Sequence, residues 1–190
     1  MGLADSLVPP LFALVRGSYL PTTLRTSALS LLATIADTAD LALLPYAHEI
    51  THAMLDLLQI EGARALVQAQ GHPVSVTTDA ISSPISPSSP QSPIPNMDDQ
   101  PMAANPTFPP FRRAALHFLG TLVRAYTRRA YASSGSGVDG SGMSADDFPT
   151  RRAATTLAYI AATDADAVVR VMAGEVGDAV HTLERTLVGL

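Results

Sequence analysis

Residues 164–173 read "DADAVVRVMA" and follow the pattern Asp-x-Asp-x-x-Val-Arg-x-x-Ala. An aspartate just before an apolar stretch can accept a hydrogen bond from a free N–H group in the first turn of a helix. The residues that follow repeat apolar side chains at spacings of three and four. The pattern predicts a helix over residues 165–187, with Asp164 as its N-terminal cap. Arg170 is expected to bridge to an adjacent helical repeat.

A related pattern, Arg-x-x-Ala followed by an apolar stripe, begins three other segments. They read "LRTSALSLLATI" (24–35), "FRRAALHFLGTL" (111–122) and "TRRAATTLAYIA" (150–161). Periodicity and proline positions predict five helices before the last one, over residues 3–16, 22–36, 45–60, 110–131 and 149–162. The second helix is expected to bury Leu24, Ala28, Leu31, Leu32 and Ile35. The fourth is expected to bury Phe111, Ala115, Leu119, Leu122 and Tyr126.

Composition narrows the fold and the chemistry. Of the 190 residues 47% are hydrophobic, chiefly Ala and Leu, with five Tyr, five Phe and no Trp, which favours helices over sheets. Because the chain has no Cys, it has no disulfide, no thiolate metal site and no Cys nucleophile. No apolar run is long enough to span a bilayer. We therefore predict no membrane span, no cofactor and no resident metal ion.

Two segments lack helical periodicity. Residues 67–108 are rich in Ser and Pro and are predicted to be disordered, because they cannot bury enough apolar area to offset the entropy of ordering. Residues 132–148 are predicted to form a Gly/Ser-rich loop. The chain therefore divides into a helical block at 1–66, the insert, and a second helical block at 109–190. Four Ser-Pro pairs in the insert are candidates for phosphorylation by a proline-directed kinase, at Ser83, Ser86, Ser89 and Ser92, or else belong to an inert tether.

The repeated pattern resembles HEAT repeats, in which paired antiparallel helices stack into an α-solenoid. Helix pairs of this kind cannot bury their apolar faces alone, which is the physical reason for stacking. The resemblance implies an all-α fold, a HEAT-like solenoid interrupted by the insert. It does not by itself indicate a ligand.

A narrower resemblance covers roughly residues 24–66 and 109–187. It depends on the turn Leu44-Pro45-Tyr46, the helix end Leu58–Glu61 and the start Arg112–Ala115. These features resemble the C-terminal part of the proteins required for nuclear transport of RNA polymerase II, whose animal relatives are named for transport and Golgi organisation. The Ser/Pro insert departs from that family, and family members are much longer. The resemblance implies a non-enzymatic adaptor for cytoplasmic assembly and nuclear import of polymerase II, cytoplasmic with shuttling to the nucleus. A generic HEAT adaptor of another complex is the alternative.

One motif points to an enzyme instead. Residues 48–52 read "HEITH", the helical zinc signature in which two His bind the metal and Glu acts as general base. A zinc peptidase also needs a third ligand. The metzincin positions hold Leu55 and Leu58, and after Glu61 no Glu occurs until Glu175. We therefore interpret His48 and His52 as part of a solvated polar face with Asp56 and Gln59, and a zinc metallopeptidase as the remote alternative.

Basic residues concentrate in one part of this acidic chain. Residues 112–152 contain seven Arg and three Asp, a net +4, whereas the whole chain carries −5 and has no Lys. This is too local for general nucleic-acid binding, which needs a broad basic surface. Arg113, Arg124 and Arg128, with His117, share one side of the fourth helix. They are predicted either to dock an acidic protein partner or to be solvated or paired within the fold.

Overall fold

A computed structural model describes residues 3–39, 42–70, 110–135 and 148–188. In these ranges the fold is all-α: six helices and a 3₁₀ turn occur, and no strand. The helices are α1 (Leu3–Arg16), α2 (Thr22–Thr38), α3 (Ala47–Gln70), α4 (Pro110–Gly135), α5 (Thr150–Thr163) and α6 (Ala167–Val188), and the 3₁₀ turn is Leu44–Tyr46. None of the helices in this part of the chain is both long enough and apolar enough to cross a bilayer.

α4 is the central helix. It packs along α2 on one side and α6 on the other, and α3 also contacts it. α1 packs on α2, α5 packs on α6, and α3 lies beside α5. The apolar stripe predicted for α4 is confirmed, because all five of its residues are buried, and Leu116, Phe118 and Val123 are buried with them. One continuous apolar cluster runs from Val8 in α1 to Leu183 in α6.

The buried face of α2 differs from the prediction. Ala28 and Leu32 are buried as expected, but Leu24 is 42% exposed and Leu31 is 54% exposed. The buried positions are instead Arg25, Ala28, Leu29, Leu32, Ala33 and Ala36. The helix is rotated because it packs against α1 and α4 at once, and small alanines allow a close approach to both neighbours. Two of the four leucines of α2, Leu24 and Leu31, are left on the outer side.

Two helices extend beyond their predicted ends. α3 continues to Gln70 instead of ending at residue 60, and α4 continues to Gly135 instead of ending at residue 131. The buried side of α3 contains Ile50, Met54, Leu55 and Leu58. Most of the predicted disordered insert, residues 71–108, lies outside the described residues.

The turn between α5 and α6 corrects two residue assignments. Asp166, not Asp164, caps α6: its Oδ1 accepts a hydrogen bond from the Val169 N–H at 2.9 Å. Asp164 instead ends α5 and accepts from the Asp166 N–H at 2.9 Å. Arg170 does not bridge to another repeat, because its guanidinium donates to the Asp164 carbonyl at 2.7 Å within the same turn. Both aspartates shape this turn, which fixes where α6 begins.

Candidate functional site

The three arginines predicted as a docking strip on α4 do not share one environment. Arg113 lies near the start of α4 and donates to the Asp166 carboxylate at 2.7 Å, with most of its side chain buried. Burial alone would raise the pKa of Asp166, but hydrogen bonds from Arg113 and from the Val169 N–H outweigh it and hold the pKa below its usual range. Arg113 therefore joins α4 to α6 and does not belong to an open surface.

Arg124 and His117 do lie on an open surface, in a cleft between α2 and α4. The cleft has a volume of about 480 Å³ and is lined by Ser30, Ala33, Thr34, Asp37, Thr38, His117, Thr121 and Arg124. Both the Arg124 guanidinium and the His117 ring are exposed. Arg124 is held over its own helix by a 3.3 Å hydrogen bond to the Thr121 hydroxyl, which leaves donor groups for another molecule.

Arg128 stands one turn further along α4, at the edge of the same cleft. It pairs with Asp37 of α2 at 3.5 Å, and both side chains are more than half exposed. Exposed ion pairs of this kind contribute little net energy, about 0–1 kcal/mol. A carboxylate from a partner could therefore replace Asp37 at small cost.

The α2 wall of the cleft is built of hydroxyl groups that are already bonded. Ser30 donates to the Thr26 carbonyl at 3.1 Å, Thr34 to the Ser30 carbonyl at 3.0 Å, and Thr38 to the Thr34 carbonyl at 2.7 Å. Because each hydroxyl already donates its hydrogen, its oxygen can only accept further hydrogen bonds. The cleft thus has an acceptor wall on α2, which includes the Asp37 carboxylate, and a donor wall on α4, which includes Arg124. We call this feature the α2/α4 cleft.

The HEITH residues are tied into the fold by other contacts. Glu49, the would-be general base, pairs with Arg16 of α1 at 3.6 Å. His52 accepts a hydrogen bond from Arg152 of α5 through Nδ1, and Arg152 also binds Asp56. Burial lowers the pKa of His52, and His48 and Arg152 lower it further against the opposing charge of Asp56. Gln59 donates to the Thr156 hydroxyl at 3.3 Å.

The interpretation of this polar side of α3 as a solvated face holds for His48, Asp56 and Gln59, which are exposed, whereas His52 is half-buried. Arg152 of α5 binds both His52 and Asp56, and the His48 ring centroid lies 4.5 Å from that of His52. Within the described ranges no three His, Cys, Asp or Glu side chains come together in a way that could hold a metal ion. The pair of histidines therefore has no third protein ligand in this part of the chain.

A polar network at one edge of the helices was not predicted from the sequence. Buried Arg25 donates to the Val15 carbonyl at 3.0 Å and to Glu61 at 3.3 Å, and its guanidinium carbon lies 3.9 Å from the centre of the Phe111 ring. Buried Arg112 donates to Asp164 at 2.9 Å. The signal was the Arg-x-x-Ala pattern itself, whose arginines join neighbouring helices at their ends.

A second missed feature is the residue before α5. Phe148 was predicted to lie in the Gly/Ser loop, yet its ring is buried and packs against Tyr126 with ring centroids 5.4 Å apart. It also lines a shallow cleft of about 650 Å³ between α3 and α5, with Gln59, Arg151 and Thr155 among the other residues. The burial of Phe148 could have been predicted, because an apolar residue directly before a helix start often packs against that helix.

The four candidate phosphorylation sites, Ser83, Ser86, Ser89 and Ser92, lie outside the described residues. Scans of the chain against protein-family models, curated proteins and solved structures gave no match. No function is therefore transferred from a relative, and the geometry of the chain's own residues has to support any proposal.

Proposed function

We propose that the chain is a non-enzymatic protein scaffold, a HEAT-like α-solenoid that holds an acidic segment of a partner protein in the α2/α4 cleft. The observation that carries the proposal is the cleft itself. It is open, Arg124 lines its α4 wall with Arg128 at its edge, and the carboxylate of Asp37 on the opposite wall is held only by the exposed pair with Arg128. Electrostatic complementarity of this kind favours an acidic partner and raises its association rate.

The directions of the helices support a solenoid of antiparallel pairs. Arg25 meets Phe111 near the starts of α2 and α4, and Asp37 meets Arg128 near their ends, as expected for two helices that run the same way. The Tyr126 hydroxyl donates to the Leu44 carbonyl at 3.2 Å, and Arg112 donates to the Glu61 carbonyl at 3.4 Å, as expected for α3 running opposite to α4. Equivalent helices of successive pairs run parallel in such stacks.

A scaffold also fits the contacts of the HEITH segment better than a peptidase does. A general base must stand within hydrogen-bond reach of the water that the metal activates. Glu49 makes only an exposed, weak ion pair with Arg16, but His52 has one ring nitrogen engaged with Arg152. These contacts give the motif a structural role between α1, α3 and α5.

The partner class follows from the resemblance to the polymerase-import family. On that basis the chain assists the cytoplasmic assembly and nuclear import of RNA polymerase II, and shuttles between the two compartments. Partners would be polymerase II subunits and the nuclear transport machinery. A generic HEAT adaptor of another complex would use the same cleft for a different acidic protein.

The test is affinity purification of the tagged chain followed by quantitative mass spectrometry. We expect polymerase II subunits to co-purify, and the double variant Arg124→Glu/Arg128→Glu to lower their recovery by about tenfold or more, since each lost charged hydrogen bond is worth about 1.5–3 kcal/mol. Arg185→Glu is the matched control, because Arg185 is an exposed arginine on α6 outside the cleft. This control should retain the partners.

Two results would change the conclusion. If the double variant and the control recover the same partners equally, the α2/α4 cleft is not the binding surface. If the cleft variant loses a set of proteins that contains no polymerase subunit, the chain is an adaptor of another complex.

A further inference from the structure

One wall of the α2/α4 cleft repeats the same acceptor group at a regular distance. The hydroxyl oxygens of Ser30, Thr34 and Thr38, which we call the hydroxyl row, lie four residues apart on the cleft side of α2. Each hydroxyl donates its hydrogen to the carbonyl four residues earlier, so its oxygen remains an acceptor. Four residues advance a helix by about 6 Å along its axis, so the row presents an acceptor about every 6 Å over roughly 12 Å.

An extended peptide carries donors at a matching distance. Its residues rise by about 3.3 Å each and direct their backbone N–H groups to alternate edges, so one edge presents an N–H about every 6.6 Å. A helical peptide has no such row of donors, because its N–H groups beyond the first turn bond within the helix. The hydroxyl row therefore favours a ligand in an extended conformation.

The width of the cleft favours the same conformation. A volume of about 480 Å³ along the roughly 12 Å of the hydroxyl row gives a mean cross-section of roughly 40 Å². A strand in a sheet occupies about 4.8 Å by 10 Å, or roughly 48 Å². A helix at least 10 Å wide occupies roughly 80 Å² or more, which is about twice the room available. The row is as long as about four extended residues.

From this spacing and width we infer that the α2/α4 cleft binds its acidic segment in an extended conformation, with alternate backbone N–H groups of the segment donating to the hydroxyl row. The inference rests on the proposed function, which supplies the acidic segment. The acidic side chains of the segment bind Arg124, which has donor groups to spare, and Arg128, which is held only by an exposed ion pair. Once Arg128 binds the segment, the Asp37 carboxylate is a further acceptor beside the row.

The two walls then recognise different properties of the partner. Because every residue except proline has the same backbone N–H, the hydroxyl row recognises conformation and not sequence. The arginines of α4 recognise charge. Acidic side chains at alternate positions share one face of an extended chain, so a segment with that pattern fits the cleft best.

A peptide titration followed by NMR tests the inference. The probe is a terminally blocked peptide of three Ala-Glu units, added at up to millimolar concentration to the full chain labelled with ¹⁵N. The chain has a net charge of −5, so overall charge repels this peptide and binding has to come from a local site. We expect shifts of the cleft residues and, in the bound peptide, transferred nuclear Overhauser effects between each Hα and the next amide proton, which are typical of an extended chain.

Substitutions at the centre of the hydroxyl row give a second readout. Thr34→Val removes one acceptor and keeps the shape of the side chain, and it should weaken peptide binding by about three- to tenfold, the effect of one hydrogen bond. Thr34→Ser keeps the hydroxyl and should bind like the wild type. Thr182→Val is the matched control, because Thr182 is an exposed threonine of α6 that bonds to its own helix in the same way. It should leave the affinity unchanged.

The outcomes separate the inference from the proposed function. If the peptide does not bind, or binds Arg124→Glu as well as the wild type, the proposed function fails and the inference fails with it. If Arg124→Glu abolishes binding but Thr34→Val does not weaken it, the inference alone is overturned. A Thr34→Ser variant as weak as Thr34→Val, or contacts between successive amide protons that show a helical bound peptide, would also overturn the inference alone.

Discussion

At the scale of single residues, the ion pair between Arg112 and Asp164 is the interaction whose loss should destabilise the fold most. The two groups lie 2.9 Å apart, and their side chains are only 6% and 2% exposed. Removing one member of such a pair leaves a buried charge without compensation. The pair therefore fixes the position of the α5–α6 turn against the start of α4.

Arg112→Ala is expected to lower the free energy of unfolding by about 3–5 kcal/mol, because Asp164 would keep a buried charge. Arg128→Ala removes a pair whose side chains are 55% and 67% exposed, and should cost less than about 1 kcal/mol. Urea denaturation of both variants measures the difference. Equal costs would mean that the Arg112–Asp164 pair is solvated in the folded protein.

Asp166 makes stability depend on pH. Its folded pKa lies below the unfolded value of about 3.9, so the unfolded chain binds the proton more readily. The resulting stabilisation is present at neutral pH and is lost as the pH falls below about 4. Asp166→Asn keeps a capping oxygen but loses the charge, and should cost about 2 kcal/mol at neutral pH and nearly nothing at low pH.

Denaturation midpoints measured from neutral to acidic pH check this expectation. Asp178→Asn, at an exposed position of α6, is the control and should show no such convergence. If the cost of Asp166→Asn stays constant with pH, the charge on Asp166 contributes little to stability.

The sequence predicted that an aspartate of the α5–α6 turn caps the next helix, but it did not predict which aspartate does so. The spacing of two aspartates before "AVVR" indicated a capped helix, and α6 is capped. Either aspartate satisfied the preference for a short polar side chain. The choice of Asp166 depends on Arg112 holding Asp164 and on Arg113 holding Asp166, and those contacts cross more than 50 residues of sequence.

At the scale of helices, periodicity predicted which segments are helical but not the rotation of each one. For α4 the prediction was right because apolar residues cover most of its surface and it is buried between α2 and α6. For α2 the prediction was right for Ala28 and Leu32 but wrong in placing Leu24 and Leu31 on the buried side. Close packing against two neighbours instead selected small alanines, and the long Arg25 side chain was buried because its charge meets Glu61.

Glycines in α6 and α4 should respond to substitution in opposite ways. A Cβ added at Gly174 would meet no atom within 4 Å, so Gly174→Ala should raise the free energy of unfolding by about 0.5–1 kcal/mol through reduced backbone entropy. A Cβ at Gly120 would lie 3.1 Å from a methyl group of Val176. Gly120→Val should therefore cost about 1–3 kcal/mol by forcing α4 and α6 apart.

Thermal unfolding followed by circular dichroism checks both glycine variants, and Gly177→Ala is a useful companion. Its added Cβ would make an ordinary contact of 3.9 Å with Leu157, so it should behave like Gly174→Ala. If Gly120→Val instead raises the thermal stability, the α4–α6 interface can accommodate a larger side chain at this position.

At the scale of the whole molecule, composition and periodicity were sufficient for the all-α class but not for the neighbours of each helix. "TRRAATTLAYIA" shares the Arg-x-x-Ala start of α2 and α4. It forms α5, which packs on α6 and α3 instead of joining the α2–α4–α6 row. The equivalent residues in that row are Arg170 and Ala173 of α6. A four-residue pattern cannot distinguish the two helices of a hairpin, since both begin near a turn and bury an alanine.

The position of α4 makes the fold cooperative. Because one apolar cluster includes residues from all six helices and α4 touches both flanking helices of its row, a cavity in α4 weakens the whole molecule. Leu119 is fully buried, and Leu119→Ala should lower the free energy of unfolding by about 2–5 kcal/mol while unfolding remains a single transition. Val171→Ala, at an exposed position, should change the free energy of unfolding by less than about 0.5 kcal/mol.

Far-UV circular dichroism and tyrosine fluorescence, followed through the same urea titration, should give coincident curves for both variants. Separate transitions for Leu119→Ala would mean that α1 and α2 unfold independently of α5 and α6, and that the cluster does not couple the two ends of the α2–α4–α6 row.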